Sequence, residues 1–461
     1  MSKVVGLEKA EIFPINSTQS YSFRNGNPLI DFELGASPGK VVDPSSLRLN
    51  FNLNCGYGNG TGFRFLNNQS SYGDITDAAR GVSTGNINPR VGVSCVVDTV
   101  KVSNFQNQVI EEVRQHSRLN STVIPMLNDF RRYKCALSNV YGAYGNCVSQ
   151  MLRVNSEMEC SIPLRAGLLQ SRTPLNPTSL GGLKIQISLS PDSAIFNTTD
   201  ADNLVPDAAN EGTGQVYYQL SDVSISFNYL VMDKPSQPMN GIIPYAAYRS
   251  FLNIVHSSDN QSTLNLALSS VRTAFQTYLQ SSSVNNYEED SLKTHAMEDI
   301  SDTAIQIKEV AFLRAGVKFP SQFSTNERKV LDTRASAFPA HMLRDYMNSV
   351  RKYKAIKSTL MSPVVQSTRT RIDNNYDQPD GGAPQVQGPD ELDSVCGGYS
   401  MYGIGVRFDQ LNIGQGSDFS QRGFTVRLVS DLTDGTPQSC FTFALSNQGL
   451  AVKNMSVSPI A

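Results

Sequence analysis

The chain has 461 residues, with 39 Lys and Arg set against 41 Asp and Glu, for a formal net charge of −2. That balance lacks the basic bias of a chain selected to bind nucleic acid, and the length suits two domains of roughly 200 to 230 residues rather than one core. Only 17% of residues are charged, while Ser, Asn, Thr, Gly and Pro are abundant, which fits an all-β protein with many turns.

The first residues carry charges at Lys3, Glu8, Lys9 and Glu11 and have no apolar signal region. No run is long enough to span a membrane as a helix. The expectation is a protein assembled inside a cell and not secreted through a signal peptide. Cys55, Cys95, Cys135, Cys147, Cys160, Cys396 and Cys440 are then free thiols. None forms a C-x-x-C pair, so neither a zinc knuckle nor a redox motif is indicated.

Short strands are expected at 29–33 and 47–53, where Leu47, Leu49, Phe51 and Leu53 alternate with Arg48, Asn50 and Asn52. A Gly- and Asn-rich surface loop, 55–88, follows. Residues 96–102 and 109–113 flank a polar turn at Gln106-Asn107 and predict a hairpin. A helix is expected at 125–137, opened by Pro125. Strands at 162–169 and 183–189 precede a polar loop, 197–214. Then Val223, Ile225, Phe227, Tyr229 and Val231 alternate with Asp222, Ser224, Ser226 and Asn228, a half-buried strand ended by Pro235 and Pro238 near the middle of the chain.

The second half reads as a repeat. Leu264, Leu266 and Leu268 alternate, 274–279 continues the sheet, and 305–319 is a hairpin turning at Arg314-Ala315-Gly316. A helix at 339–356, a long loop at 373–398, and strands at 402–408, 424–429, 441–445 and 450–457 complete the series. Three local matches support duplication. Leu47 pairs with Leu264 at an offset of 217, Val100 with Ile307 at 207, and Met126 with Met342 at 216. Shared order at a nearly constant offset indicates a duplicated domain. The fold expected is all-β: two tandem eight-stranded jelly-roll β-sandwiches, residues 1–235 and 236–461, with a short helix in each and long loops.

This arrangement resembles the double jelly-roll major capsid proteins of DNA viruses, nearest to those of virophages, Polinton-like viruses and their relatives. The likeness rests on segments: V-D-T-V-K-V-S-N-F-Q-N-Q-V-I-E-E-V at 97–113, S-I-P-L-R-A-G-L-L at 161–169 and L-K-I-Q-I-S-L-S at 183–190. Further on it includes L-S-D-V-S-I-S-F-N-Y-L-V at 220–231, G-I-G-V-R-F-D-Q at 403–410 and F-T-V-R-L-V-S-D-L at 424–432. The resemblance implies a structural protein of the virion: a homotrimer whose six jelly rolls make a pseudo-hexameric capsomer of an icosahedral shell. The partners implied are neighbouring capsomers, penton proteins and minor or cement capsid proteins. No small-molecule substrate and no sequence-specific nucleic acid are expected.

Motifs with a chemical reading each have a plainer one. Gly81-Val82-Ser83-Thr84-Gly85 fits G-x-S-x-G, but its flanks are loop material rather than the strand and helix of a nucleophile elbow, so it reads as a turn. Gly56, Gly58, Gly60 and Gly62 lack the G-K-[ST] of a phosphate loop. His116, His256, His295 and His341 contain no H-x-H and read as surface or capping residues. Glu288, Glu289, Asp290, Glu298 and Asp299 form either a solvated loop or a hard-cation site. Arg131, Arg132 and Lys134, and Arg351, Lys352, Lys354 and Lys357, either complement helix C-termini or contact neighbouring capsomers or an anionic interior surface. Hence no catalytic residue, metal ligand or cofactor is nominated, and the chain is not expected to be an enzyme. The alternative is a two-domain β-sandwich carbohydrate-binding or adhesion protein, which the lack of any Trp disfavours. A β-sandwich hydrolase lacks a convincing pair of acids or a nucleophile with its base.

Overall fold

The computed structural model describes residues 3–16, 20–23, 27–58, 64–65, 86–87, 92–123, 150–151, 158–171, 173–195, 215–234, 240–255, 261–284, 306–318, 348–349, 404–409, 416–420, 424–431 and 437–460. Eight framework strands come from the first half: β1 (Val4–Ile12), β2 (Leu29–Leu34), β3 (Lys40–Gly58), β4 (Val97–Ser103), β5 (Val109–Val113), β6 (Met158–Pro163), β7 (Leu183–Leu189) and β8 (Gln215–Met232). They form two antiparallel sheets in the orders β1-β8-β3-β6 and β2-β7-β4-β5.

Eight more follow: β9 (Gly241–Val255), β10 (Gln261–Leu264), β11 (Val271–Gln280), β12 (Gln306–Arg314), β13 (Val317–Lys318), β14 (Ile404–Arg407), β15 (Phe424–Asp431) and β16 (Gln438–Lys453). Their sheets run β9-β16-β11-β14 and β10-β15-β12-β13. Counted from the start of each half, both sandwiches have the same order, 1-8-3-6 and 2-7-4-5. A last strand, β17 (Ser456–Ile460), turns back along β16.

Side-chain periodicity explains the pairing. In β7, Leu183, Ile185, Ile187 and Leu189 are buried and the residues between them are half-buried. In β8 the buried positions change parity, from Tyr218 and Leu220 to Val223, Ile225, Phe227 and Tyr229. The change falls at Asp222, which has φ 48, where the register with β3 shifts. A bulge thus keeps apolar side chains inward on both sides of the irregularity. Ala315 and Gly316 (φ 51 and 79) turn the β12–β13 hairpin, and Asn454 and Met455 (φ 52 and 66) turn the β16–β17 hairpin. These are two-residue loops whose left-handed backbone matches strand twist.

The structure corrects several expectations. Residues 55–58 are strand, so Gly56 and Gly58 belong to β3. The segment expected as a strand at 162–169 ends its strand at Pro163 and becomes a 3-10 turn at Leu168–Gln170. Residues 450–457 form two strands joined by a turn. Leu47 lies in the third strand of its sandwich and Leu264 in the second of its own, so that sequence match joins non-equivalent strands; the counterpart of β3 is β11. Apolar alternation marks any half-buried strand and carries no address. Val100 and Ile307 both lie in fourth strands, as their match implies. Strands β1 and β9 escaped sequence reading. β1 shows no alternation, with exposed Val4, Val5 and Leu7 beside exposed Glu8, Lys9 and Glu11, and β9 contains Pro244, which an edge strand tolerates. The helices expected at 125–137 and 339–356 lie outside the described residues, apart from Asn348 and Ser349. The loops at 197–214 and 373–398 lie outside them as well.

One apolar cluster fills the first sandwich and continues into the second through Ile243, Tyr245, Ala247, Tyr248, Phe275, Phe441, Phe443 and Leu445. Deeper in the second sandwich, Phe408, Phe419 and Phe424 meet edge to face, with ring centroids 5.1, 5.5 and 6.0 Å apart. A short helix, α1 (His116–Val123), follows β5 and is buried along its whole length although most of its residues are polar.

Candidate functional site: the seam between the sandwiches

The richest concentration of buried polar side chains lies where β5 and the turns of the first sandwich meet β9 and β17 of the second. β5 and β9 are both edge strands, and an uncovered edge presents unpaired backbone groups. Here each covers the other. Glu111, in β5, shares a strand face with Val113 and is wholly buried. Its Oε1 accepts from the backbone N–H of Tyr248 in β9 at 2.7 Å and from that of Gly167 at 3.0 Å; its Oε2 accepts from Leu168 N–H at 2.8 Å. One carboxylate therefore ties an edge of the second sandwich to the 3-10 turn of the first. Burial pushes the Glu111 carboxyl above its ordinary value, against the pull of those donors and of the nearby Arg249 charge.

Gly167 permits this approach. A Cβ built there would stand 1.5 Å from the carbonyl oxygen of Ala246 in β9. Its φ of −63° shows that space, not backbone conformation, demands glycine. Gly181 is a second contact of this kind: its φ is 72°, and an added Cβ would lie 2.6 Å from the carbonyl of Met455.

Around this clasp the hydrogen bonds alternate between sandwiches. The Tyr248 hydroxyl donates to Gln170 Oε1 at 2.9 Å. The Tyr245 hydroxyl lies 3.1 Å from the carbonyl of Ile110 and 3.0 Å from Gln448 Oε1, between which its single hydrogen is shared. The backbone N–H of Arg114 donates to Ser250 Oγ at 3.0 Å. At the tip of the β4–β5 hairpin, Asn104 Oδ1 accepts from the N–H groups of Gln106 and Gln108 and shapes the turn. Gln108 then reaches β17, accepting from Val457 N–H at 2.8 Å and donating to Ser456 Oγ at 3.0 Å.

Helix α1 supports the clasp from behind. His116 Nε2 accepts from Arg165 N–H at 2.9 Å, so its ring proton resides on Nδ1, toward the backbone of Val97. Arg165 Nε donates to Asn120 Oδ1 at 2.7 Å, and Arg118 stacks over the Phe441 ring, 3.9 Å from its centroid. Burial, and secondarily the Arg165 charge, hold the His116 imidazole down to about 3. His116 is therefore a buried neutral acceptor, which corrects its reading as a surface or capping residue. The hydroxyl of Tyr248 is pushed up to about 12, chiefly by burial.

This constellation fastens; it offers no activated nucleophile. Among the described residues no group of three or more His, Cys, Asp and Glu could hold a metal ion, and no helix is long and apolar enough to cross a membrane. Cys95, Cys160 and Cys440 are buried free thiols. Of the residues weighed from sequence, Gly60, Gly62, the 81–85 segment, His256, His295, His341, the acidic residues at 288–290 and 298–299, and both basic clusters lie outside the described residues. Sequence reasoning missed Glu111, although an acid sharing a strand face with valine is a legible signal. Gly167 gave none.

No protein-family model matches the chain, and no curated protein matches it in sequence. Solved structures do. The Faustovirus major capsid protein superposes with a TM-score of 0.53 at 9% identity, over 97% of this chain and 90% of that one. The PBCV-1 protein VP54, fitted into a reconstruction of the virophage Sputnik, gives 0.51 at 11% identity over 99% and 96%. A quasi-atomic structure of the PBCV-1 virus capsid gives 0.51 at 10% identity over the same shares. The fold is the double jelly roll. It is shared with viral major capsid proteins across nearly the full length of both partners. In jelly-roll terms, the seam joins the fifth strand of roll one to the first strand of roll two.

Proposed function

We propose that the chain is the major capsid protein of a DNA virus, with residues 1–235 and 236–461 as its two rolls. Three copies form a pseudo-hexameric capsomer of six rolls that tiles an icosahedral shell. The observation that supports this most directly is the identical strand order in both rolls, held side by side by a buried polar seam, in a fold matched end to end by capsid proteins. A rigid pair of like rolls is a unit that three-fold symmetry turns into a near-hexagonal tile. Trimer contacts of an obligate kind bury on the order of 2,000 Å² or more, whereas lateral contacts between tiles are weaker and gain from multiplicity. The partners are neighbouring capsomers, penton proteins and minor or cement proteins; the location is the virion, assembled in the host cell.

Light scattering on the purified chain tests this. The expected mass is about three times 50.4 kDa, with hexagonal outlines in negative stain. A monomer at every concentration would overturn the proposal.

A further inference from the structure

The outer strand of one sheet of roll two, β14, ends in a small charged cluster that takes no part in the seam. Its neighbour β11 runs in register with β16 except at one place. Val271 pairs with Ser446 and Thr273 with Leu445, so Arg272 is an extra residue in the strand. A bulge of this kind re-aims a side chain. The Arg272 carbonyl accepts from the backbone N–H groups of Phe408 and Asp409 at 2.8 and 3.1 Å, which fixes the end of β14 against the bulge. Arg407, the last residue of β14, stands opposite Thr273.

The charges at this corner do not balance. Asp409, whose side chain is 4% exposed, accepts from Arg407 Nε at 3.0 Å and lies 3.9 Å from Arg272 Nη2. No other carboxylate pairs with either arginine among the described residues. The arginine side chains are only 24% and 29% exposed, and Arg272 Nε is buried without a hydrogen-bond partner. One positive charge therefore stands uncompensated where water reaches it poorly, and one buried donor lacks an acceptor. The fold does not demand this. In roll one the matching strands, β3 and β6, carry Arg48, whose guanidinium donates to the Oγ and the carbonyl of Ser161 in the adjacent strand.

We propose that Arg272 and Arg407 form a binding site for a singly charged phosphate group. Phosphate oxygens match the planar donor fork of arginine, and charge-assisted hydrogen bonds of this kind are stronger than neutral ones. Asp409 holds the two guanidinium groups together and leaves a net charge of one, which selects a monoanion over a more highly charged ligand. Dihydrogen phosphate and a phosphodiester share that chemistry. The position on an outer strand lets the ligand enter from solvent.

The test is titration calorimetry on the full-length chain at constant ionic strength, with inorganic phosphate and dimethyl phosphate as separate probes. Saturable binding is expected. Binding of both probes identifies the site as a phosphodiester acceptor, and binding of inorganic phosphate alone identifies it as a site for the free ion. Arg272→Gln and Arg407→Gln should each weaken binding by about tenfold or more, the loss of a hydrogen bond to a charged group. Lys9→Gln, an exposed lysine in roll one, should leave it unchanged. Thermal melting separates a ligand site from a structural ion pair. Phosphate should raise the melting temperature of the parent and not that of the arginine variants. Arg272→Lys keeps the charge and removes Nε, so it gives the same answer where the glutamine variant fails to fold. Absence of binding to the parent, or binding that the Arg272 and Arg407 variants retain in full, would overturn the proposal.

Discussion

At the scale of single residues, the seam depends on one missing methyl group and one carboxylate. Gly167→Ala places a Cβ against the Ala246 carbonyl, where backbone has little freedom to retreat. It should destabilise the chain by about 3 kcal/mol, the upper part of the overpacking range, as measured by urea denaturation. Glu111→Gln keeps the shape but exchanges an accepting oxygen for an N–H₂, so one of the N–H groups of Gly167, Leu168 or Tyr248 loses its partner. A cost of about 1–3 kcal/mol is expected in the same assay. His116 sets a pH dependence. Its folded-state value, about 3, lies below the ordinary 6.5, so its contribution is full above 6.5 and is lost as pH falls toward 3. The slope from this group is about 1.4 kcal/mol per pH unit below 6.5. Glu111 acts in the opposite sense, since its raised value favours the neutral form at acid pH. Urea melts between pH 7 and 4.5 should show a shallower loss in His116→Gln than in the parent; identical slopes would remove His116 from the account.

At the scale of elements, turns and bulges decide where strands go. The β12–β13 turn places Ala315 at φ 51, a left-handed conformation that costs an ordinary residue about 1–2 kcal/mol. Asn accepts that conformation more readily, and Asn-Gly is the favoured pair for this turn. Ala315→Asn should therefore stabilise the chain by up to about 1 kcal/mol, read as a small rise in melting temperature. The bulge at Asp222 is a different device. It changes which parity faces the core, so β8 can keep Tyr218 and Leu220 buried alongside Val223 and Ile225. Helix α1 shows the limit of pattern reading, because a helix buried on every side while carrying His116, Ser117, Asn120 and Thr122 has no amphipathic stripe to recognise.

At the scale of the whole molecule, one apolar cluster fills roll one and crosses into roll two, while Phe408, Phe419 and Phe424 pack together outside it. One cooperative unfolding transition is expected by calorimetry, with calorimetric and van't Hoff enthalpies in agreement. Two resolved transitions would show that the seam contributes little. The same continuity fits the capsomer proposed above, in which the outer edges of the two rolls must be held at a fixed spacing.

The sequence alone determined the fold class and the doubling. Alternation in Leu47–Leu53, Leu183–Leu189 and Val223–Val231 is a local property, set by which side chains leave water, and it survives without knowledge of the partner strand. It also placed the 97–113 and 305–319 hairpins, because a turn is local too. Which strand pairs with which was not legible: Leu47 matched Leu264 by pattern yet occupies a different place in its sheet. The seam was decided only by tertiary structure. Glu111, Gly167 and Tyr248 are far apart in the chain, and each is unexceptional there. Their meaning comes from two edges brought within hydrogen-bonding distance, where burial makes a carboxylate, a missing side chain and a backbone N–H depend on one another.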